Sequence, residues 1–164
     1  MAKRERKWLA HYIDEAFSSS SPSYVRLGDD LEEYNIELNA DVEVVKNIKG
    51  EQSVKHNGYE VQSEVDPYYA TEGSALFAKL AAIVNNRSTG AACETTVVDV
   101  LLNDDGTQVW AYREKVIVVP KTLGGDTSGI QIPFTVYYSG DRTAGTWSGS
   151  TFTPTSNGGG GGGT

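Results

Sequence analysis

The side chains with the means to do chemistry are few: two histidines, one cysteine and several runs of acid. His11 and His56 stand 45 positions apart with no cysteine beside either, so each reads as a satisfied structural or surface histidine, not a metal ligand or catalytic base. Cys93 is the sole cysteine, which excludes an intramolecular disulfide, and with neither histidine near it in sequence it reads as a buried structural thiol. Asp29-Asp30 and Glu32-Glu33 have the residue types of a general acid and base, but such pairs usually sit on a solvated turn. The stretch "LNDDG" invites comparison with a calcium loop. Placing Gly106 at the loop glycine puts Leu101 at the first ligand position and Tyr112 where a bidentate glutamate is required, so it reads as a hairpin turn. G-x-S-x-G, H-E-x-x-H, C-x-x-C and a Walker lysine in a glycine loop are all missing. The expectation is a protein that is not an enzyme and takes no metal or cofactor.

One acidic pattern is organised. In "EEYNIELNADVEVV" the even positions from Tyr34 to Val44 are Tyr34, Ile36, Leu38, Ala40, Val42 and Val44, and the odd positions are Asn35, Glu37, Asn39, Asp41 and Glu43. Period two predicts a half-buried strand with its apolar face in the core. The other face is then a row of carboxylates and amides with no basic partner interleaved.

The elements around this row are mostly strands. "WLAHYIDEAF" is ambiguous between strand and helix, "SSSSPS" at 18–23 is a loop, and "YVRLG" begins a strand region. Residues 46–69 read as a strand, loop and strand around Gly50 and Asn57-Gly58, with period two resuming at Tyr59, Val61, Ser63 and Val65. The loop at 47–58 looks too long and too polar for an economical hairpin and is expected to become ordered only against a neighbouring molecule. One helix is predicted in "GSALFAKLAAIVNNR", with Leu76, Leu80, Ile83 and Val84 at helical spacing, Thr71 or Ser74 as cap and Asn85-Asn86 at the end. Two further strands flank an Asp105-Gly106 turn. "IQIPFTVYYSG" alternates as another, with Pro133 marking an edge or bulge, and "TWSGSTFTP" adds a last short strand. The oligoglycine end has nothing to bury and reads as a disordered tail.

With 164 residues, 38% of them apolar, the chain fits one domain with a real core. The expected organisation is an arm and linker at 1–23, a β domain at 24–154 and the tail at 155–164. No apolar run approaches a membrane span, and none follows the basic N-terminus as a signal peptide requires, so an intracellular chain without membrane insertion is expected. The net charge of −8 is uneven, because "KRERK" at 3–7 carries +3 and leaves −11 on the remainder. Such a split suits an arm (Lys3, Arg4, Arg6 and Lys7, anchored by Trp8) that seeks an acidic surface, and another copy of this acidic chain fits better than phosphate.

"LGDDLEEYNIELNADVEVVKNIKGE", then "GYEVQSEVDPYYA", then a single helix, resembles the major tail tube proteins of long-tailed bacteriophages that infect Gram-positive bacteria. The glycine-acidic turn leading into "YNIELN" carries most of the resemblance, which extends more weakly to about Pro154. It implies a mainly β fold, a β-sandwich or partial barrel of antiparallel strands flanked by one helix, with a long interstrand loop and flexible termini. It also implies hexameric rings stacked into a tube in the virion tail, assembled in the host cytoplasm, through which double-stranded DNA passes without sequence-specific contact. Partners would be the chain itself and terminator, tape measure and baseplate-type proteins. The loop bearing Asn47, Lys49, Glu51, Lys55 and His56 would reach the next ring, and Asn35, Glu37, Asn39, Asp41 and Glu43 would line the lumen. A second reading keeps the β fold but makes it a carbohydrate-binding module, with Tyr137 and Trp147 as a stacking platform.

Overall fold

A computed structural model describes residues 1–155; the oligoglycine stretch lies outside the described residues. The chain adopts the expected mainly β, one-helix architecture as a half-barrel, a single antiparallel sheet curled around its main core. Its strands are β1 (Leu9–Asp14), β2 (Tyr24–Leu27), β5 (Gln62–Val65), β6 (Glu94–Leu102), β7 (Gln108–Pro120), β10 (Phe134–Trp147) and β11 (Phe152–Pro154). They run in the order β11-β10-β7-β6-β1-β2, with β5 beside the first half of β10 on the edge that β11 occupies further along. Two small hairpins stand apart, β3 (Ala40–Lys46) with β4 (Gln52–Tyr59) and β8 (Gly124–Asp126) with β9 (Gly129–Gln131).

The concave face holds the main core. Ile13, Val97, Val116, Val118, Phe134 and Val136 point into it and are essentially without solvent contact. Each such side chain contributes roughly 1.5–3 kcal/mol of burial, which is what holds the sheet curled. Helix α1 (Ala75–Asn86) lies across this face through Leu76, Leu80 and Ile83. Ser74 caps it, its Oγ accepting from the Phe77 amide at 3.2 Å, and Arg87 ends it in a left-handed turn at φ 52°. A smaller core on the convex face joins Val98, Val100, Ala111 and Phe152.

Two expectations need correction here. Residues 9–14 belong to the domain, not to an arm: β1 is an inner strand between β2 and β6, because Ala10 and Ile13 bury fully where only a strand lets neighbours on both sides pair. The strand expected through Pro133 is divided there into β9 and β10, as a residue without an amide hydrogen requires. β10 then runs on to Trp147, bulged between Tyr138 and Arg142. "LNDDG" is the turn it was expected to be: Asp105 accepts from the Thr107 amide at 2.9 Å and hydroxyl at 2.6 Å, with Gly106 at φ 86°. Those hydrogen bonds hold the Asp105 carboxyl below its ordinary range.

Candidate assembly interface

The strand expected from Tyr34 to Val44, buried on one face, does not exist in that form. Tyr34 is buried and Ile36 half-buried, but regular pairing begins only at Ala40, and every residue of β3 is exposed. The alternation breaks at Asn39, a left-handed residue at φ 45° whose Nδ2 donates to the Glu60 carbonyl at 3.0 Å. A bend there turns the chain away from the body, so core contact ends although the apolar period continues. The row of polar residues therefore divides. Asn35 and Glu37 lie along the body, where Glu37 exchanges backbone hydrogen bonds with Gln62 at 2.8 and 3.0 Å; Asn39 forms the bend; Asp41 and Glu43 lie beyond it on the hairpin.

The excursion at 46–58 is correspondingly ordered within its own chain, contrary to the expectation of a loop that needs a neighbour. β3 and β4 pair from Ala40 opposite Tyr59 to Lys46 opposite Gln52, with Asn57 as the extra residue of a bulge. Asn47 closes the turn: its Oδ1 accepts from the Lys49 and Glu51 amides at 2.9 and 3.1 Å, and its Nδ2 donates to Glu51 Oε2 at 2.7 Å. Gly50, at φ 81°, supplies the conformation the turn needs. Asn47 and Glu51 are thus occupied locally, while Lys49 stands at the exposed tip.

Register assigns the two faces of this hairpin. Ala40, Val42 and Val44 on β3 share one face with Val54, His56 and Tyr59 on β4. Asp41, Glu43 and Val45 share the other with Ser53 and Lys55. The apolar face has no cover: Val42, Val44, Val54 and Tyr59 are 50%, 55%, 62% and 58% exposed. On it the His56 and Tyr59 rings meet edge to face, with centroids 4.6 Å apart. A two-stranded hairpin is marginal in water without a packed face, and this chain supplies none for the stripe among the described residues.

The basic arm does not reach away from its own chain throughout. Arg4 donates to the Leu102 carbonyl at 2.6 Å, and Arg6 donates to the Tyr34 carbonyl and to His11 Nε2, both at 3.0 Å. His11 Nδ1 in turn meets Asp99 Oδ1 at 2.6 Å with both side chains buried. The guanidinium can only donate, so Nε2 is the acceptor and Nδ1–H donates to the carboxylate. The array resembles half a catalytic triad, but no serine, threonine or cysteine adjoins it among the hydrogen bonds of the described residues. It is a charge-balanced clasp, and His11 is the satisfied structural histidine expected. Lys7 lies 5.1 Å from the half-buried Trp8 ring and pairs with Glu5 at 2.8 Å, while Lys3 is exposed.

Sequence reasoning missed Asp99 and Tyr34 as parts of this clasp. A lone acid inside "TTVVDVLL" was the available signal, since a buried carboxylate requires partners. The Tyr34 ring stacks 4.3 Å from His11, and its hydroxyl lies 3.1 Å from that of Tyr138. Burial, aided by the Asp99 charge, pushes Tyr34 up to about 12. Burial likewise raises Tyr138, and Glu114 against the donated Gly140 amide. Of the stacking platform, Trp147 is already used: it packs on Tyr12 at 4.4 Å and Tyr24 at 5.5 Å, leaving Tyr137 half exposed without it.

No family profile and no curated protein matches the chain. Solved structures do. A chain of the sheath/tube terminator of the PVC extracellular contractile injection system superposes with a TM-score of 0.55 at 9% identity, covering 89% of this chain and 99% of that one. The tube-terminating cap of the anti-feeding prophage gives 0.54 at 9%, covering 90% and 93%. A chain of the PVC sheath-tube complex gives 0.53 at 10%, covering 88% and 93%. At such identities the likeness shows a shared fold.

Proposed function

We propose that this chain is a structural subunit of a tail tube, assembling into rings that stack into a conduit. The observation that carries the reading is the uncovered apolar stripe of Val42, Val44 and Val54 on an ordered hairpin, borne by a body with the fold of tube and tube-terminator proteins. A hairpin stripe and a body surface elsewhere form a heterologous contact, and heterologous contacts close into rings or run on as filaments. The tail tube of a long-tailed phage, with hexameric rings, a Gram-positive host and terminator, tape measure and baseplate-type partners, is the finer form of the proposal and follows the sequence resemblance.

Asp41 and Glu43, opposite the stripe, face away from whatever covers it. In a ring they border the channel with Glu37, Asn35 and Asn39; Lys55, opposite Glu43, offsets one carboxylate, and the remaining acids and amides repel duplex phosphate where unpaired lysines would bind and arrest it. The carbohydrate reading has lost its support, because its platform needs Trp147 free. Two of the three structural likenesses are to terminators, so a capping ring is the second reading. Electron microscopy of the concentrated protein tests both: stacked tubes support the conduit, single rings that cap a tube favour the terminator, and a monomer at every concentration refutes the proposal.

A further inference from the structure

We propose that Asn57 is a site of spontaneous covalent modification, where the side-chain amide is lost through attack by the backbone nitrogen of Gly58. The fold alone carries this, whatever the chain assembles into. Among the described residues Asn57 is the one asparagine followed by glycine; the others precede Ile, Ala, Asn, Arg or Asp, whose side chains crowd the attacking nitrogen. A Cβ at Gly58 would meet nothing within 4 Å, so the space for ring closure is open from outside as well. The place of Asn57 on the hairpin matters as much. The register of β3 and β4 shifts between the Asp41–Gly58 and Val42–His56 pairs, and Asn57 is left without a partner across the ladder. It is exposed. Asn35, Asn39, Asn47 and Asn103 each donate from Nδ2, to Glu33, the Glu60 carbonyl, Glu51 and Thr107, whereas the Asn57 side chain makes no hydrogen bond among the described residues.

The Asp105-Gly106 turn shows how the same chemistry is held off. Asp105 Oδ1 accepts from the Thr107 amide and hydroxyl, and the Gly106 amide donates to the Asn103 carbonyl at 2.9 Å, so carboxyl and nitrogen are both engaged. At Asn57 the Gly58 nitrogen bonds to Cγ, the bond from Cγ to Nδ2 breaks, and ammonia leaves with the proton that Gly58 gives up. Solvent water then opens the five-membered imide at either carbonyl. One opening gives aspartate; the other gives isoaspartate, whose backbone runs through Cβ and Cγ and is one atom longer. That atom falls where the ladder is already interrupted. Either product sets a carboxylate beside Gly58, which lies across from Asp41. The hairpin carries Asp41, Glu43 and Glu51 against Lys46, Lys49 and Lys55, so conversion takes it from balance to one net negative charge. Modified and unmodified copies then differ in the charge of an element that stands apart from the body.

Peptide mapping by mass spectrometry tests the site. The purified chain is kept warm at mildly alkaline pH, folded in one series and in urea in another, and the peptide bearing Asn57 is followed separately from Asn157-Gly158, which lies outside the described residues. In the folded chain Asn57 is expected to convert within about tenfold of its rate in urea, because a residue outside the ladder opens at little cost. Isoaspartate at Asp105 is expected in urea and not in the folded chain. Isoelectric focusing is expected to show an acidic band that grows with time, that migrates with the Asn57→Asp variant, and that Asn57→Gln suppresses. An Asn57 that converts in urea but stays intact in the folded chain is held by its ladder, and overturns the proposal. So does a modified peptide at 52–59 that forms equally in Asn57→Gln.

Discussion

Replacing Val44 and Val54 together by threonine separates a stripe that serves assembly from one that serves the fold. The two valines face each other across the hairpin and are 55% and 62% exposed. Threonine is nearly isosteric and β-branched, so strand propensity is kept and only the chemistry of the face changes. In the isolated chain these positions are already in water, and the change in unfolding free energy stays within about 0.5 kcal/mol. In an assembly that covers them, each hydroxyl leaves water without a partner at about 1 kcal/mol, the low end for protein interiors because contact is partial. Two residues give about 2 kcal/mol per interface, which at 1.4 kcal/mol per decade raises the assembly concentration about thirtyfold. Sedimentation velocity over a dilution series reads that concentration, and thermal unfolding by circular dichroism reads the fold. Unchanged assembly, or a drop in unfolding midpoint large enough to explain its loss, refutes the argument.

Substituting Lys3 and Lys7 with alanine is expected to weaken self-association and its salt sensitivity without lowering the unfolding midpoint, whereas Arg6→Ala lowers the midpoint; calorimetry beside sedimentation separates the two. Asp99→Ala leaves the buried His11 Nδ1–H without its acceptor and is expected to cost about 2 kcal/mol in urea unfolding, with Asp99→Asn recovering part through the retained acceptor. Tyr34 is raised from 10.0 to about 12, so between those values the unfolded chain loses a proton that the folded chain keeps, and stability falls as pH rises. The loss is on the order of 2–3 kcal/mol by pH 12, and Tyr34→Phe removes that part of the slope in pH-dependent denaturation. Assembled particles carrying lysine at Glu37, Asp41 and Glu43 are expected to retain duplex DNA at low salt and release it at high salt; no retention places the row outside the channel.

Much of the fold was legible in the sequence. Leu76, Leu80 and Ile83 at helical spacing, with Ser74 ahead of them, fixed α1, and the Asp105-Gly106 turn fixed the β6–β7 hairpin, because both signals are local. The failure at Tyr34–Val44 was of another kind. Alternation shows that a strand has an apolar face but is silent on which molecule covers it, and the bend at Asn39 hands the face from the chain's own core to solvent. The loop at 47–58 misled for a related reason. Its polar residues suggested disorder, but Asn47 uses that polarity to lock a turn, and the register from Val44–Val54 outward then follows. Asp99 and the clasp needed the pairing of β1 with β6, which brings together residues 88 positions apart.

Where order resides along the hairpin bears on how it docks. Its root is held from several directions: Tyr34 is buried against His11 and Tyr138, its carbonyl accepts from Arg6, Glu37 pairs with Gln62, and Asn39 binds the Glu60 carbonyl. Its blade is bare. A segment that folds only on binding must be ordered at the moment of contact, at roughly 1–2 kcal/mol of backbone entropy per residue. Here that cost has already been met within the subunit by the turn at Asn47 and the clasp at the root, so contact between copies needs to offset mainly the fixing of exposed side chains. A modest apolar stripe then suffices where a disordered loop would need a much larger one. The basic arm enters the same argument from its N-terminal side: Arg6 reaches the Tyr34 carbonyl, so removing it loosens the hairpin root as well as the arm. Salt, which screens the exposed Lys3 and Lys7, should therefore act on association, while loss of Arg6 acts on the fold that makes association possible.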